Sequence, residues 1–174
     1  MLAVAQPNQE SFSRTGNRCL EEPVEESDQP MTTDPNIVRV LLVDDEESIR
    51  LTFTALLEGA GYQVHLAANA AAALGVLDRH SIDVAVVDIL LPSVSGIELA
   101  RQIREKQPNI RIIICTSEPG LDTARAAIQL GVSDYLTKPV GKEQMIEVIA
   151  RAVEEKREHY EFFANLFACS LVTY

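Results

Sequence analysis

Five side chains in this sequence have the types and spacing to hold a cation and a phosphoryl group together. They are the adjacent acids Asp44 and Asp45, the isolated Asp88, the hydroxyl of Thr116 and the ammonium of Lys138. Three carboxylates gathered about 5 Å apart repel by roughly 3 kcal/mol per pair at an effective dielectric near 20. Such a cluster calls for a raised carboxyl pKa or a bound cation. Its donors are hard oxygens, while His65, His80 and His159 are scattered along the chain. Mg²⁺ or Mn²⁺ therefore suits the set better than zinc. An aspartate beside such a cation can act as nucleophile and form an acyl phosphate, with Lys138 offsetting the incoming charge.

Each residue also has a plainer use when taken alone. Asp44 and Asp45, with Glu46 and Glu47, could cap and charge-match a helix N-terminus. Asp88 could fix a turn, Thr116 could serve as an N-cap or ST-turn residue, and Lys138 could be a solvated surface lysine. What favours the chemical reading is position: all five fall at the same end of the sheet that the hydrophobic pattern implies.

That pattern alternates apolar runs with amphipathic stretches from Ile37 to Val153. Val38–Val43 reads as a buried parallel strand, followed by a helix over Glu46–Leu57 that Gly59 and Gly61 end. Tyr62–Leu66 is a weaker strand, and Ala70–Leu77 a helix with Asn69 as N-cap. Ile82–Val87 is the third strand, and Ile97–Lys106 a helix stopped by Pro108. Ile110–Cys115 is the most hydrophobic strand, and Asp122–Leu130 a helix closed by Gly131. Asp134–Leu136 is a brief strand, and a last helix runs from Lys142 past Val153. Five β-α units in series predict a doubly wound α/β fold, a five-stranded parallel sheet between two helical layers. Ligands in such folds bind outside the carboxyl ends of the strands, where the five side chains fall.

Composition narrows the alternatives. Fifteen Lys and Arg against 26 Asp and Glu give a net charge of −11, unlike the basic surface that nucleic-acid binding needs. No apolar run reaches the roughly 18 residues required to cross a bilayer. Cys19, Cys115 and Cys169 are odd in number and widely spaced, which suits a reduced cytoplasm better than a disulfide scaffold or structural zinc. Residues 1–36 hold seven acids against two bases and four prolines, and read as a disordered acidic leader. The leader lacks the apolar stretch of a signal peptide. Met31, opening M-T-T-D-P just before the first strand, reads as an alternative translation start, an expectation that N-terminal mass spectrometry tests.

The ordered set of motifs resembles the receiver domain of two-component response regulators. It comprises V-L-L-V-D-D-E ending at Glu46, V-V-D-I-L-L-P-S-V-S-G from Val86, I-C-T-S from Ile114 and G-V-S-D-Y-L-T-K-P from Gly131. The resemblance covers Val38 to about Val153 and implies a flavodoxin-like strand order 2-1-3-4-5. It makes Asp88 the phosphoacceptor, with Asp44, Asp45, Asp88 and the backbone carbonyl of Leu90 as Mg²⁺ ligands. Thr116 and Lys138 would contact the phosphoryl oxygens, and the Lys138–Pro139 bond would be cis. Tyr135 matches the switch aromatic; its inward turn with Thr116 would reshape the face made by helix four, strand five and helix five. The implied partners are a sensor histidine kinase or histidine phosphotransfer protein and a downstream protein target. Leu90 and Glu118 depart from common family choices beside the route of the hydrolytic water, which leaves the phosphoryl lifetime open. Cys115, next to Thr116, reads as a small buried core residue.

Beyond the receiver, residues 154–174 read as a helical extension. Ile146, Ile149, Val153, Tyr160, Phe163 and Phe167 follow alternating spacings of 3 and 4, with Lys156 in the one polar slot. That is a heptad seam of about three repeats. It fits a homodimer, a linker helix into an output domain, or a tail folded back on its own domain. Two other function classes stand beside the signalling module. One is the input domain of a longer regulator; the other is a haloacid-dehalogenase-like Mg²⁺-dependent phosphatase with Asp44 as nucleophile. The phosphatase motif wants D-x-D, and here Asp44 is followed two positions on by Glu46.

Overall fold

The computed structural model describes residues 37–170, with side chains to residue 162; the leader and the last four residues lie outside them. Among the described residues ten elements alternate: β1 (Arg39–Val43), α1 (Glu47–Gly59), β2 (Gln63–Ala67), α2 (Ala70–Arg79), β3 (Val84–Asp88), α3 (Gly96–Lys106), β4 (Arg111–Thr116), α4 (Leu121–Gln129), β5 (Asp134–Thr137) and α5 (Lys142–Ser170). The strands are parallel in the order β2-β1-β3-β4-β5, the flavodoxin-like order the motifs imply.

Strand alternation divides the core in two. Leu41, Val43, Ala85, Val87, Ile112 and Ile114 face one way, against Ala73, Leu77, Leu99, Ile103 and Ala127 of α2, α3 and α4. Val40, Leu42, Val84, Val86, Ile113 and Cys115 face the other, against Phe53, Leu57, Met145, Val148 and Ile149 of α1 and α5. Central strands buried on both faces explain the unbroken aliphatic runs of the sequence.

Differences from the sequence reading are concentrated at element ends. α1 continues through Gly59 to a C-cap at Ala60; Gly61, at φ 90°, supplies the left-handed turn, as Gly131 does at φ 63° after α4. Asn69 caps α2 as expected, its side chain accepting from the Ala72 amide at 2.9 Å. Asp88 and Thr116 are the last residues of their strands rather than loop residues. The largest departure is in α5. Ile149 is fully buried, Ile146 and Val153 pack against the same cluster, and Lys156 pairs with Asp83 at 2.7 Å. The first half of the heptad seam therefore belongs to the domain's own core. Among the described seam positions, Tyr160 alone is exposed, at 51 %. Phe163 and Phe167 lie beyond the described side chains. Among the described residues no helix is long and apolar enough to cross a membrane.

Candidate functional site

The ladder pairs Asp88 with Cys115 and Thr116 with Thr137, so the carboxyl ends of β3, β4 and β5 finish level. Asp44 follows β1, its amide donating to the Ala67 carbonyl of β2 at 3.2 Å. These connections bring Asp44, Asp88, Thr116 and Lys138 to one place from positions up to 94 residues apart.

Asp44 and Asp88 are each only 3 % exposed, and Thr116 is fully buried. Lys138 Nζ donates to Asp44 Oδ2 at 2.6 Å and to Asp88 Oδ2 at 2.5 Å, so two buried carboxylates share one ammonium. Burial alone would lower the Lys138 pKa. Hydrogen bonds to Asp44 and Asp88, and their charges, outweigh it and hold the ammonium above its ordinary value. The other carboxylate oxygens have separate work. Asp44 Oδ1 accepts from the Glu46 amide at 2.9 Å, and Asp88 Oδ1 from the Leu90 amide at 3.0 Å. Asp88 therefore fixes the turn after β3 with one oxygen and meets Lys138 with the other, and Asp44 divides its two oxygens in the same way. Thr116 likewise makes the ST-turn contact, its Oγ1 accepting from the Glu118 amide at 3.1 Å.

Asp45 is exposed beside this buried pair. One carboxylate oxygen from each of Asp44, Asp45 and Asp88 lies within 4.8 Å of the others. Three carboxylates against one ammonium leave a local negative charge, and an all-oxygen donor set of this size fits Mg²⁺. The Lys138–Pro139 bond is cis. Cys115 is buried one residue before Thr116. Burial, with Asp88 and Asp44 adding to it against the pull of Lys138, pushes its thiol up to about 12, so it is no thiolate nucleophile.

Tyr135 is half-buried on β5, and its hydroxyl lies 3.0 Å from Thr123 Oγ1 near the start of α4. The hydroxyl of Thr123 also donates to the Gly120 carbonyl at 2.9 Å. Tyr135 is thus tied to the cap of α4 instead of standing free.

Two contributors escaped the sequence reading. Gly96 opens α3 so close to β3 that a Cβ there would stand 2.0 Å from the Asp88 carbonyl oxygen. Its amide donates to the Ile89 carbonyl at 2.9 Å, holding the loop after Asp88. The glycine stood in the quoted motif, but only three-dimensional proximity reveals what excludes a side chain. Arg50 Nη1 donates to the Asp44 carbonyl at 2.6 Å and steadies the acid pair from α1; a lone helical arginine carries no signal of that use.

The response regulator receiver domain model matches residues 40–150. The chain is 39% identical over 119 residues to the alginate biosynthesis transcriptional regulatory protein AlgB of Pseudomonas putida, covering 68% of this chain and 27% of that protein. It is 34% identical over 122 residues to the DNA-binding transcriptional regulator NtrC of Escherichia coli, covering 70% and 26%. The chain thus spans about a quarter of the length of these relatives. Among solved structures, a CheY-like receiver domain protein from Methanospirillum hungatei superposes with a TM-score of 0.69 at 28% identity, covering 71% of this chain and 98% of that one. A Burkholderia pseudomallei response regulator, solved with a phosphorylated aspartic acid, a calcium ion and citrate, superposes with a TM-score of 0.62 at 30% identity, covering 70% and 72%.

Proposed function

The chain belongs to the response regulator receiver domain family, and we propose that Asp88 is its phosphoacceptor. The observation that carries this is the sharing of Lys138 by the buried carboxylates of Asp44 and Asp88, beside the exposed Asp45. In the reaction, an Asp88 carboxylate oxygen attacks the phosphorus of a phosphohistidine on a sensor kinase or phosphotransfer protein. The new O–P bond gives an acyl phosphate; the N–P bond breaks, and the imidazole nitrogen keeps its electron pair and takes up a proton. Lys138, fixed and cationic, offsets charge on the phosphoryl oxygens as they arrive. Asp44, Asp45, Asp88 and the Leu90 carbonyl would hold Mg²⁺, which supplies charge neutralisation at the phosphoryl group.

The consequence of phosphorylation is a two-state shift. Thr116 leaves its contact with the Glu118 amide for the phosphoryl group, and Tyr135 leaves Thr123 to turn inward. The face of α4, β5 and α5 then docks a downstream protein. Residues 37–153 act as the receiver. The reading of this receiver as the input domain of a longer regulator is favoured by α5, which continues as one helix to Ser170, past the part that packs on the sheet. The helix beyond Lys156 then serves as linker or dimer contact. A haloacid-dehalogenase-like use of Asp44 would place the acyl phosphate on a different residue.

Incubation of the 174-residue protein with acetyl phosphate and Mg²⁺ tests the assignment by intact mass and peptide mapping. Asp88→Asn is expected to abolish the phosphoryl adduct. Uptake by that variant at the parent level, or an adduct mapped to Asp44, overturns it.

A further inference from the structure

The amino ends of the strands carry charge of the opposite sign, in an arrangement that phosphoryl transfer does not use. Arg104 of α3 donates from Nη1 to the carbonyls of Pro108 at 3.1 Å and Ile110 at 2.6 Å, and from Nη2 to that of Gly131 at 3.0 Å. Arg111 opens β4 and donates from Nη2 to the Glu155 carbonyl of α5 at 2.8 Å, while its Nε is buried without a hydrogen-bond partner. Both guanidiniums rest on carbonyl dipoles, and among the described residues no carboxylate forms an ion pair with either. The two line one pocket, and burial, then the charge of Arg111, lowers the Arg104 pKa.

With Lys156, His159 and Tyr160 of α5, these arginines line a pocket of about 180 Å³. Lys156 is already matched by Asp83, so the unmatched charge in the pocket is that of the two guanidiniums. Its volume is below the roughly 300–1,000 Å³ of drug-sized sites and suits a ligand of a few atoms. Planar guanidinium forks recognise tetrahedral and planar oxyanions through paired charge-assisted hydrogen bonds. Two like charges lining one pocket, with no acid among its lining residues in a chain of net charge −11, are stabilised by an anion.

We propose that this pocket binds a small free oxyanion of the phosphate class. The anion bridges Arg104 and Arg111 of the domain to the stretch of α5 that leads into the extension. Occupancy therefore stiffens the exit of the extension at the end of the sheet opposite Asp88.

The test uses the whole 174-residue chain, isotope-labelled, in Mg²⁺-free buffer at constant ionic strength. Sodium phosphate and sodium sulfate are titrated against sodium chloride, with the arginine Nε–H and backbone amide signals followed by NMR. Saturable shifts at Arg104, Arg111, His159 and Tyr160 are expected with both oxyanions and not with chloride. Arg104→Gln should weaken that binding about tenfold. Shifts that rise linearly without saturation, or saturable shifts confined to Thr116 and Lys138, overturn the proposal on the unaltered chain whether or not the variant folds. A folded Arg104→Gln with affinity within about twofold of the parent also overturns it. Tighter binding of a tetraglutamate peptide than of phosphate overturns the assignment to a free anion in favour of an acidic protein segment.

Discussion

The two ends of the sheet solve opposite electrostatic problems with the same side-chain types. At the carboxyl end, Asp44, Asp45 and Asp88 face a single ammonium, and the two buried acids share it. At the amino end, Asp83 has its own lysine and also accepts from the Arg39 amide at 2.8 Å, while Arg104 and Arg111 rest on main-chain carbonyls. One end is short of positive charge and the other has a surplus. A buried group left one partner short is poised for a ligand, whereas a one-to-one pair with a backbone donor is a fastening.

The strongest way to break this contrast is Lys138→Met. It leaves Asp44 and Asp88 buried with no cation and should cost about 3–5 kcal/mol. Urea unfolding without divalent cations measures the loss, and added Mg²⁺ should recover part of it; an unchanged midpoint would refute the shared-lysine account. Next is Gly96→Ala, whose Cβ meets the Asp88 carbonyl. Forcing α3 off β3 should cost about 3 kcal/mol, read from the same unfolding curve, and should slow phosphorylation by acetyl phosphate. A variant as stable as the parent would mean that the close approach is easily relaxed.

Lys156→Met should cost less, about 1–2 kcal/mol, because Asp83 is partly exposed and keeps its contact with the Arg39 amide. A loss equal to that of Lys138→Met would erase the distinction between fastening and poised site. The smallest effect concerns pH at β2. Burial, then the charges of His80 and Arg39, lowers the His65 pKa. The unfolded chain then binds a proton that the folded chain resists, so stability falls as pH drops below the unfolded value near 6.5 and on through the lower folded value. His65→Gln should flatten the fall in urea midpoint between about pH 7 and pH 5; an unaltered slope would assign it to other groups.

How far the sequence disclosed all this depends on whether a feature is periodic. The strand order and both core faces follow from short aliphatic runs alternating with amphipathic helices, which only a parallel sheet buries on both sides. The gathering of Asp44, Asp88, Thr116 and Lys138 was legible for the same reason, since βα connections place successive strand ends on one edge. The fate of Lys156 was not. In the heptad reading it is a polar lapse in an apolar seam, but it is matched by Asp83, 73 positions away, a pairing no local period records. Gly96 and Arg50 were opaque for a related reason: each acts on a main-chain carbonyl, of Asp88 and Asp44. Carbonyls leave no trace in residue type.

α5 has a mechanical consequence of its own. Its packed half, from Met145 to Ala152, is seated in the core, and the Arg111–Glu155 and Lys156–Asp83 contacts grip it just beyond. From Lys156 to Ser170 the helix runs on for about 21 Å at 1.5 Å per residue. The domain and this segment form a lever with its fulcrum at that grip. A tilt of about 10° there carries the tip through about 4 Å, roughly the width of one side-chain contact. Displacements too small to repack a core can therefore decide which residues meet at the far end.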